Sequence, residues 1–251
     1  AHRGEREGGG GGGRAARGLA MSAERIAPQD RRAALRSAVA ALKVFPLHGV
    51  AVLPGTPAPF HIFEPRYKAL VGDALEGDRI LAIPALFAKS DAHALRPPLK
   101  AVCGAGIIEA EERYPDGRYD IVVRGLARVR LVEELPQRGL YREFKAEVLE
   151  DRWPRAGASS LEGELEALRQ IVYELSTKLP KESGAPQLAE AVAQMKDASA
   201  IVDLVAAAAV SDPGTRQEVL EQLDVAARLE MVMEEVAGVV LVLSKGKGPK
   251  V

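Results

Sequence analysis

Few residues in this sequence have the types and spacing that nucleophilic catalysis requires. Cys103 is the only cysteine among the 251 residues, and no histidine lies beside it in the sequence. A cysteine nucleophile needs a neighbouring base that lowers its pKa. Two Ser-Lys pairs occur, Ser176 with Lys178 and Ser244 with Lys245, but residues one or two apart on a helix do not face each other. The sequence therefore predicts a buried thiol at Cys103 and no Ser-Lys dyad.

His61 and Glu64 have the spacing of a metal-binding pair near a predicted helix start. A zinc site needs three or four ligands, and no second pair follows at a suitable spacing. A single cysteine also excludes a multi-cysteine zinc site. We therefore expect neither a metal site nor a cofactor.

The strongest candidate for a binding surface is an aromatic-rich stretch between residues 45 and 67. Aromatic residues are only 4% of the chain, yet four of them fall in this stretch. A shallow apolar surface with polar edges suits an unfolded polypeptide, and an exposed strand edge could add a client strand. The predicted peptide-binding residues are Phe45, Pro54, Phe60, Phe63 and Tyr67.

A structural interpretation of the same stretch is the alternative. Glu64 favours a helix N-terminus, Arg66 can pair with a carboxylate, and Tyr67 can pack the helix on a sheet. On this interpretation the three residues stabilise the fold and bind nothing.

Two further features have structural interpretations. Arg124, Arg128 and Arg130 follow one another along a predicted strand, and without an RNA motif they indicate a solvated face. Trp153, beside Pro154, is predicted to be a packing anchor between the two halves of the chain.

Residues 37–150 are predicted to be mostly strand. Four prolines between residues 46 and 59 exclude a long helix there. Apolar runs predict strands over 43–47, 50–53, 79–87, 101–110, 119–123, 126–132 and 144–149, of which 119–123 and 126–132 are joined at Arg124-Gly125. Helical spacing over 64–75, with Pro65 near its start, predicts one helix inside this region.

Residues 156–245 are predicted to be helical. Asp197 is a predicted N-cap, and Thr215 with Glu218 has the spacing of a capping box. This capping box is predicted to open one long last helix that ends near residue 243. Strands followed by helices indicate an α+β fold with two packed parts.

Residues 1–36 are predicted to be a disordered Gly/Arg-rich tail or leader. They contain six consecutive glycines, at 8–13, which bury no apolar area to offset the entropy of ordering. Eight arginines against four acidic residues give them a net charge of +4, whereas the whole chain has −1. The alternative is a basic arm that contacts phosphate or lipid. A short lead-in helix is expected within 30–42.

Composition excludes several classes of protein. Hydrophobic residues at 47% and charged residues at 27% are typical of a globular chain. A net charge of −1 gives no basic field, so nucleic acid is not an expected partner. The most apolar stretches, 200–210 and 236–243, are shorter than the roughly 20 residues of a membrane-spanning helix. We expect no membrane association and a cytoplasmic location.

An ordered series of short motifs resembles one protein family. The series comprises Phe45-Pro46-Leu47, Val52-Leu53-Pro54-Gly55, Ile62-Phe63-Glu64-Pro65-Arg66-Tyr67, Asp116-Gly117-Arg118-Tyr119, Arg128-Val129 and Arg216-Gln217. In order and spacing it resembles the N-terminal substrate-binding domain of Lon proteases, especially its free-standing bacterial form. The resemblance covers about residues 43–243. It implies a PUA-like β pseudo-barrel followed by a C-terminal helical bundle.

The resemblance does not extend to the catalytic parts of Lon. The sequence has no Gly-x-x-x-x-Gly-Lys-Ser/Thr segment and no Gly-Pro-Ser-Ala-Gly nucleophile segment. The Lon ATPase and Ser-Lys peptidase activities are therefore not expected, and the chain is predicted not to be an enzyme.

Three functions remain open from the sequence. The first is a non-catalytic module that binds unfolded or apolar polypeptide segments, as an adaptor or holdase linked to a protease encoded elsewhere. The second is a small-ligand-binding protein or hydrolase that uses the cleft between barrel and bundle. The third is RNA binding through the PUA-like barrel.

Overall fold

The computed structural model describes residues 28–87 and 96–246. Its β-rich part contains α1 (Pro28–Ala38), β1 (Leu42–Val44), β2 (Pro57–Ile62), α2 (Pro65–Glu76), β3 (Ile80–Ile83), β4 (Val102–Arg113), β5 (Tyr119–Glu134) and β6 (Arg142–Leu149). Its helical part contains α3 (Glu162–Lys178), α4 (Ala185–Gln194), α5 (Ala198–Ala209), α6 (Pro213–Glu221) and α7 (Val225–Ser244). Two short 3-10 turns, Ala158–Leu161 and Lys181–Ser183, precede α3 and α4.

The six strands form a sheet that closes on itself. The strand order is β2-β5-β4-β3-β1-β6, and β5 pairs with β6 as well. The first half of β5 pairs with β2 and its second half with β6, so β2 lies outside the closed ring as a flanking strand. The predicted α+β fold, a β pseudo-barrel followed by a helical bundle, is confirmed.

Strand β5 differs from its prediction. The sequence predicts two strands joined at Arg124-Gly125, but one strand runs without interruption through both residues. A Cβ on Gly125 would lie 2.2 Å from the carbonyl oxygen of Leu53. Gly125 therefore allows another segment of backbone to approach the strand closely. Close approach of a second backbone is a known reason for glycine inside a strand, besides a bulge or a bend.

That segment, residues 51–53, is the layer between barrel and bundle. Ala51 and Leu53 belong to the apolar core of the helices, whereas Val52 between them belongs to the core of the barrel. Gly104 on β4 accommodates the same segment, since a Cβ there would lie 2.0 Å from the carbonyl oxygen of Val52. The backbone of this short segment is thus shared by two cores.

Helices α5, α6 and α7 begin at side-chain caps that the sequence predicts only in part. Asp197 caps α5 by accepting a hydrogen bond from the amide of Ala200, as predicted. The prediction of a single long last helix is wrong, because α6 and α7 are separate helices. Asp212, not Thr215, caps α6, and Asp224 caps α7 with hydrogen bonds from two amides.

Part of the predicted tail is helical. Residues 28–36 belong to α1, whose Leu35 and Ala38 are buried against the strands of the barrel. The helix lies in the region of the expected lead-in helix and ends at Ala38. Residues 1–27, with the glycine run, lie outside the described residues.

None of the helices within residues 28–87 and 96–246 is long and apolar enough to cross a membrane.

Candidate functional site

Four of the five predicted binding residues lie on one side of β2 or the other. Residues 58, 60 and 62 point towards the barrel core, where Ala58 and Phe60 pack and Ile62 is buried. Side chains alternate along a strand, so His61 lies on the outer face, where it is exposed. Phe63, just after the strand, lies beside His61.

The inner group is an aromatic cluster formed by Phe45, Phe60 and Tyr67. The ring centroids of Phe45 and Phe60 are 5.5 Å apart, and those of Phe45 and Tyr67 are 4.7 Å apart, both edge-on. Phe45 and Tyr67 are buried, and Phe60 is half-buried. Burial raises the pKa of the Tyr67 hydroxyl. As the structure stands, only Phe60 of this cluster is accessible to a ligand.

The outer group is a ridge formed by Phe63, His61, Tyr114 and Arg118, here called the outer ridge. The Phe63 side chain is 61% exposed and stacks on His61 with ring centroids 6.1 Å apart. The His61 ring lies 6.3 Å from the Tyr114 ring, and the Arg118 guanidinium lies 5.4 Å from the centroid of Tyr114. The outer ridge is a row of three rings, of which Phe63 and His61 are exposed and Tyr114 is half-buried, and it ends in the Arg118 cation.

Asp120 fixes the middle of the outer ridge. Its two carboxylate oxygens accept hydrogen bonds from the Tyr114 hydroxyl and from Nδ1 of His61, each at 2.6 Å. These two bonds hold the pKa of Asp120 below its usual range. The hydrogen bond that the Tyr114 hydroxyl donates to Asp120 raises the pKa of Tyr114 to about 12. Both rings are therefore oriented by one ionised carboxylate.

The sequence prediction misses Tyr114, Arg118 and Asp120. They reach His61 because β2 pairs with β5 in a register that sets His61 opposite Asp120. The long-range pairing that brings residues 114–120 to β2 has no local signature in the sequence.

The remaining residues of the predicted site lie elsewhere. Pro54 is half-buried and follows Leu53 in the layer between barrel and bundle, where its Cα would lie 3.3 Å from a Cβ on Gly125. Arg66 donates two hydrogen bonds to Glu64, at 3.1 and 2.8 Å, and its guanidinium lies 4.7 Å from the Tyr67 ring centroid. These contacts fit the structural interpretation of Glu64, Arg66 and Tyr67.

The outer edge of β2 is obstructed by proline. The carbonyl oxygen of Thr56 accepts a hydrogen bond from Gly125 on β5. In an antiparallel ladder alternate residues bond to the same neighbour, so the backbone groups of Pro57, Pro59 and His61 face the other edge. Proline has no N–H, which leaves only His61 with a donor there. No described strand pairs with this edge.

The candidates for catalysis lie apart from the outer ridge. Cys103 is fully buried in β4 as predicted, and burial raises the pKa of its thiol to about 12. Within residues 28–87 and 96–246 no three His, Cys, Asp or Glu side chains converge as a metal site would require. His61 pairs with Asp120, and Glu64 pairs with Arg66.

The solvated face predicted for Arg128 is wrong. Arg128 is buried and donates two hydrogen bonds to Asp203 of α5, at 2.8 and 2.6 Å. Arg228 of α7 is also fully buried, with its Nε 3.4 Å from Asp203. The prediction failed because spacing along a strand identifies a face but not the layer that covers it.

Asp151 extends this buried group. It accepts a hydrogen bond of 2.9 Å from Arg228, and the Ser199 hydroxyl donates to its other oxygen. Burial opposes ionisation of Asp151, but the bonds from Arg228 and Ser199 outweigh it and hold the pKa below its usual range. Two arginines and two carboxylates thus join β5 to the helices, and of the four side chains only Asp151 is partly exposed.

Trp153 is not the packing anchor that the sequence predicts, since 41% of its side chain is exposed. The junction is held instead by backbone bonds. Arg152 donates to the carbonyl of Leu223 at 2.8 Å, and Val225 donates back to the carbonyl of Arg152 at 3.0 Å.

Comparison with known proteins gives one consistent family. The family model of the ATP-dependent protease La (LON) substrate-binding domain matches residues 41–238. A Lon protease of Salinispora arenicola is 31% identical over 197 residues, which are 78% of this chain and 23% of that protein. Lon protease 2 of Myxococcus xanthus is 27% identical over 77% of this chain and 23% of its own length. The chain thus spans about a quarter of these relatives.

Solved structures show the same fold. The N-terminal domain of a Mycobacterium avium complex Lon protease has a TM-score of 0.62 at 17% identity, covering 78% of this chain and 98% of that one. A Lon N-terminal domain protein from Xanthomonas campestris has a TM-score of 0.53 at 19% identity, covering 77% and 97%.

Proposed function

Because the chain belongs to the Lon substrate-binding domain family, we propose that it is a non-catalytic module that binds unfolded or apolar polypeptide segments. We propose further that it acts in proteolysis, as an adaptor or holdase for a protease encoded elsewhere. The match is to a substrate-binding domain alone, which supports binding without catalysis.

The observation that carries the proposal is the exposure of Phe63 in the outer ridge. A side chain that is 61% exposed leaves a large aromatic surface in water, and covering it with an apolar client residue is favourable. The ring stacks on His61, which Asp120 holds in place. Little side-chain entropy is therefore lost when a client packs there.

The aromatic cluster behind β2 supports this surface. Phe60 packs on the opposite face of the strand and is anchored by Phe45. The half-buried Phe60 offers a second, smaller apolar contact at the rim. A client segment that reached from Phe63 to Phe60 would cross the edge of β2.

The prolines of β2 define how the client binds. Addition of a client strand needs alternate N–H and C=O groups along the free edge, and Pro57 and Pro59 remove two of the donors. We therefore propose recognition through side chains instead of strand addition. Such recognition selects clients by their apolar side chains and does not need a fixed register between the client backbone and β2.

The test is fluorescence anisotropy of a labelled, permanently unfolded protein titrated with the full chain. Phe63→Ala removes the exposed ring, and we expect its affinity to fall by roughly tenfold, as for a central aromatic contact. Tyr173→Ala is the matched control, because Tyr173 is 63% exposed on α3, far along the chain from the outer ridge. Its affinity should equal that of the unchanged protein.

Equal affinities for Phe63→Ala and the unchanged protein would contradict the outer ridge as the binding surface. Absence of binding by the unchanged protein at about 100 μM, weaker than roughly −5.5 kcal/mol, would contradict general client binding. A holdase would also suppress light scattering by an aggregating client without any protease, whereas a pure adaptor would not.

No observation favours the other two functions. The buried residues Ala51 and Leu53 and the buried Arg128–Asp203 pair lie between barrel and bundle, where the second function would need its ligand cleft. For RNA binding, Arg128 is neutralised in the interior and Arg124 pairs with Glu109 at 2.7 Å.

A further inference from the structure

Glu112 of β4 lies in the same row of side chains as the middle of the outer ridge. In the sheet, Asp120 is paired with His61 on one side and with Glu112 on the other. Residues directly opposite each other in an antiparallel ladder have their side chains on the same face. Because His61 is exposed on the outer face, the side chain of Glu112, which is also exposed, belongs to that face.

The electrostatics of Tyr114 place the Glu112 carboxylate close to the outer ridge. The hydrogen bond from Tyr114 to Asp120 is the main cause of the raised pKa of Tyr114, and the charge of Glu112 also raises it. Water and salt screen exposed charges, so a carboxylate has this effect only at short range. Glu112 is therefore a direct neighbour of the outer ridge.

Glu112 differs from the other charged residues on this face because its charge is not compensated. Both carboxylate oxygens of Asp120 accept hydrogen bonds, and Arg118 is paired with Asp116 at 2.7 Å. Glu112 takes part in no ion pair found in the part of the chain that the structure describes.

The residues on either side of Glu112 point to the opposite face and do not neutralise it. Side chains alternate along a strand. Glu111 pairs with Arg79 on the inner face, and the Arg113 guanidinium lies 5.7 Å from the ring centroid of the buried Tyr119. The charge of Glu112 is therefore available to a molecule that binds on the outer face.

We propose that Glu112 makes the outer ridge select client segments in which a basic residue lies close to an apolar one. The apolar residue packs on Phe63, and the arginine or lysine pairs with Glu112. This inference rests on the proposed function, because it names the class of client that the same surface binds. Glu112 is then a specificity-determining residue of the outer ridge.

The geometry of the sheet sets the spacing of the two client residues. Neighbouring strands lie about 4.8 Å apart, so two strand spacings place Glu112 about 10 Å from His61. Phe63 lies just beyond His61. An extended client, at about 3.3 Å per residue, covers this distance with three or four residues.

The cations at the other end of the outer ridge do not favour an acidic client equally. Arg118 lies on the Tyr114 ring, and Lys68 of α2 donates a hydrogen bond to the carbonyl of Asp116 at 3.4 Å. A client carboxylate would have to compete with the Asp116 carboxylate for Arg118. A client cation meets an unpaired carboxylate at Glu112, so basic segments should bind more tightly than acidic ones.

The test is fluorescence anisotropy of three labelled glycine–serine peptides titrated with the full chain. Each peptide contains two adjacent leucines, and the peptides differ only at the third position after them, which is Arg, Gln or Glu. The Arg peptide should bind about two- to fivefold more tightly than the Gln peptide, as expected for an exposed ion pair, and the Glu peptide should bind most weakly. The advantage of the Arg peptide should shrink when the ionic strength is raised from about 0.05 to about 0.5 M.

Variants of Glu112 test whether this residue causes the preference. Glu112→Gln should remove the difference between the Arg and Gln peptides. Glu112→Lys should reverse the order, so that the Glu peptide binds most tightly of the three. Glu190→Lys, at an exposed position of α4, is the matched control for charge reversal and should keep the order of the unchanged protein.

The failure of this inference differs from the failure of the proposed function. Equal binding of the Arg and Gln peptides by the unchanged protein would overturn the selection of basic clients, and so would an arginine preference that survives Glu112→Gln. If the outer ridge is not the binding surface at all, Phe63→Ala will leave the affinity for every peptide unchanged. If Phe63→Ala weakens all three peptides alike and the unchanged protein does not distinguish them, client binding stands and charge selection is overturned.

Discussion

At the scale of single residues, the Arg128–Asp203 pair is the feature most sensitive to substitution. Both side chains are almost fully buried, and a buried charge is tolerated only while its partner is present. Arg128 also donates from Nε to the carbonyl of Leu220 at 3.0 Å. One side chain of β5 therefore contacts both α5 and α6.

We expect Arg128→Met to lower the free energy of unfolding by about 3–5 kcal/mol, because Asp203 is left buried beside a single remaining arginine. The measurement is urea unfolding followed by circular dichroism. Arg118→Met is the matched control, since Arg118 pairs with Asp116 at 2.7 Å but both side chains are about half exposed. Its cost should stay below about 1 kcal/mol. Similar costs for the two variants would show that the buried pair contributes no more than an exposed one.

Residue types alone predicted part of this chemistry. The buried Cys103 and the aromatic character of residues 45–67 were readable from local pattern. The burial of Arg128 was not, because its partner Asp203 lies 75 residues away. Likewise Phe63 and Phe60 appear equivalent in the sequence, and only the pleat of β2 divides them between the outer ridge and the aromatic cluster.

At the scale of elements, glycines decide where two segments of backbone can touch. Gly104 on β4 and Gly125 on β5 both lie against residues 52–53. A Cβ at either position would lie within 2.2 Å of a carbonyl oxygen, which is too close for any side chain. The obstructing atoms are backbone, so no side-chain rotation relieves the contact. Residues 51–53 would have to move out of both cores.

Gly125→Ala and Gly104→Ala should each lower the free energy of unfolding by more than ~2 kcal/mol, a large effect for one methyl group. Thermal unfolding with circular dichroism detection measures it. Gly163→Ala in α3 is the control, because its Cβ would meet nothing within 4 Å and alanine is a better helix former than glycine by up to about 1 kcal/mol. If both strand variants unfold at the same temperature as the control, the close approach of residues 51–53 does not contribute to stability.

Helix boundaries in this chain were predictable where a cap is local. Asp197 was identified because an N-cap is recognised from its own sequence neighbourhood. The break between α6 and α7 was missed, since Thr215 and Glu218 fit a capping box and the apolar pattern continues past residue 222. The helix is interrupted there because Asp224 caps α7 and Arg152 occupies the backbone groups around it, donating to the carbonyl of Leu223 and accepting from the amide of Val225.

At the scale of the whole molecule, barrel and bundle are joined by a buried segment of the chain whose consecutive residues belong to different cores. Leu53 packs among the helices while Val52 packs in the barrel, so neither core can open without moving the other's residue. Arg128, Asp203, Arg228 and the partly exposed Asp151 add charged hydrogen bonds across the same boundary. Exposure of either half would leave these charges unpaired.

This arrangement predicts that the two halves unfold together. Native-state hydrogen exchange measures it, since amides that open only by global unfolding report the same free energy. We expect equal values for the central amides of β4 in the barrel and of α5 in the bundle. Leu53→Ala should lower both by the same amount, in the range of about 2–5 kcal/mol for a buried leucine, although the Leu53 side chain belongs to the helical core. A loss of protection confined to α5 would mean that the barrel is stable without the bundle, and residues 51–53 would then be a hinge instead of a shared layer.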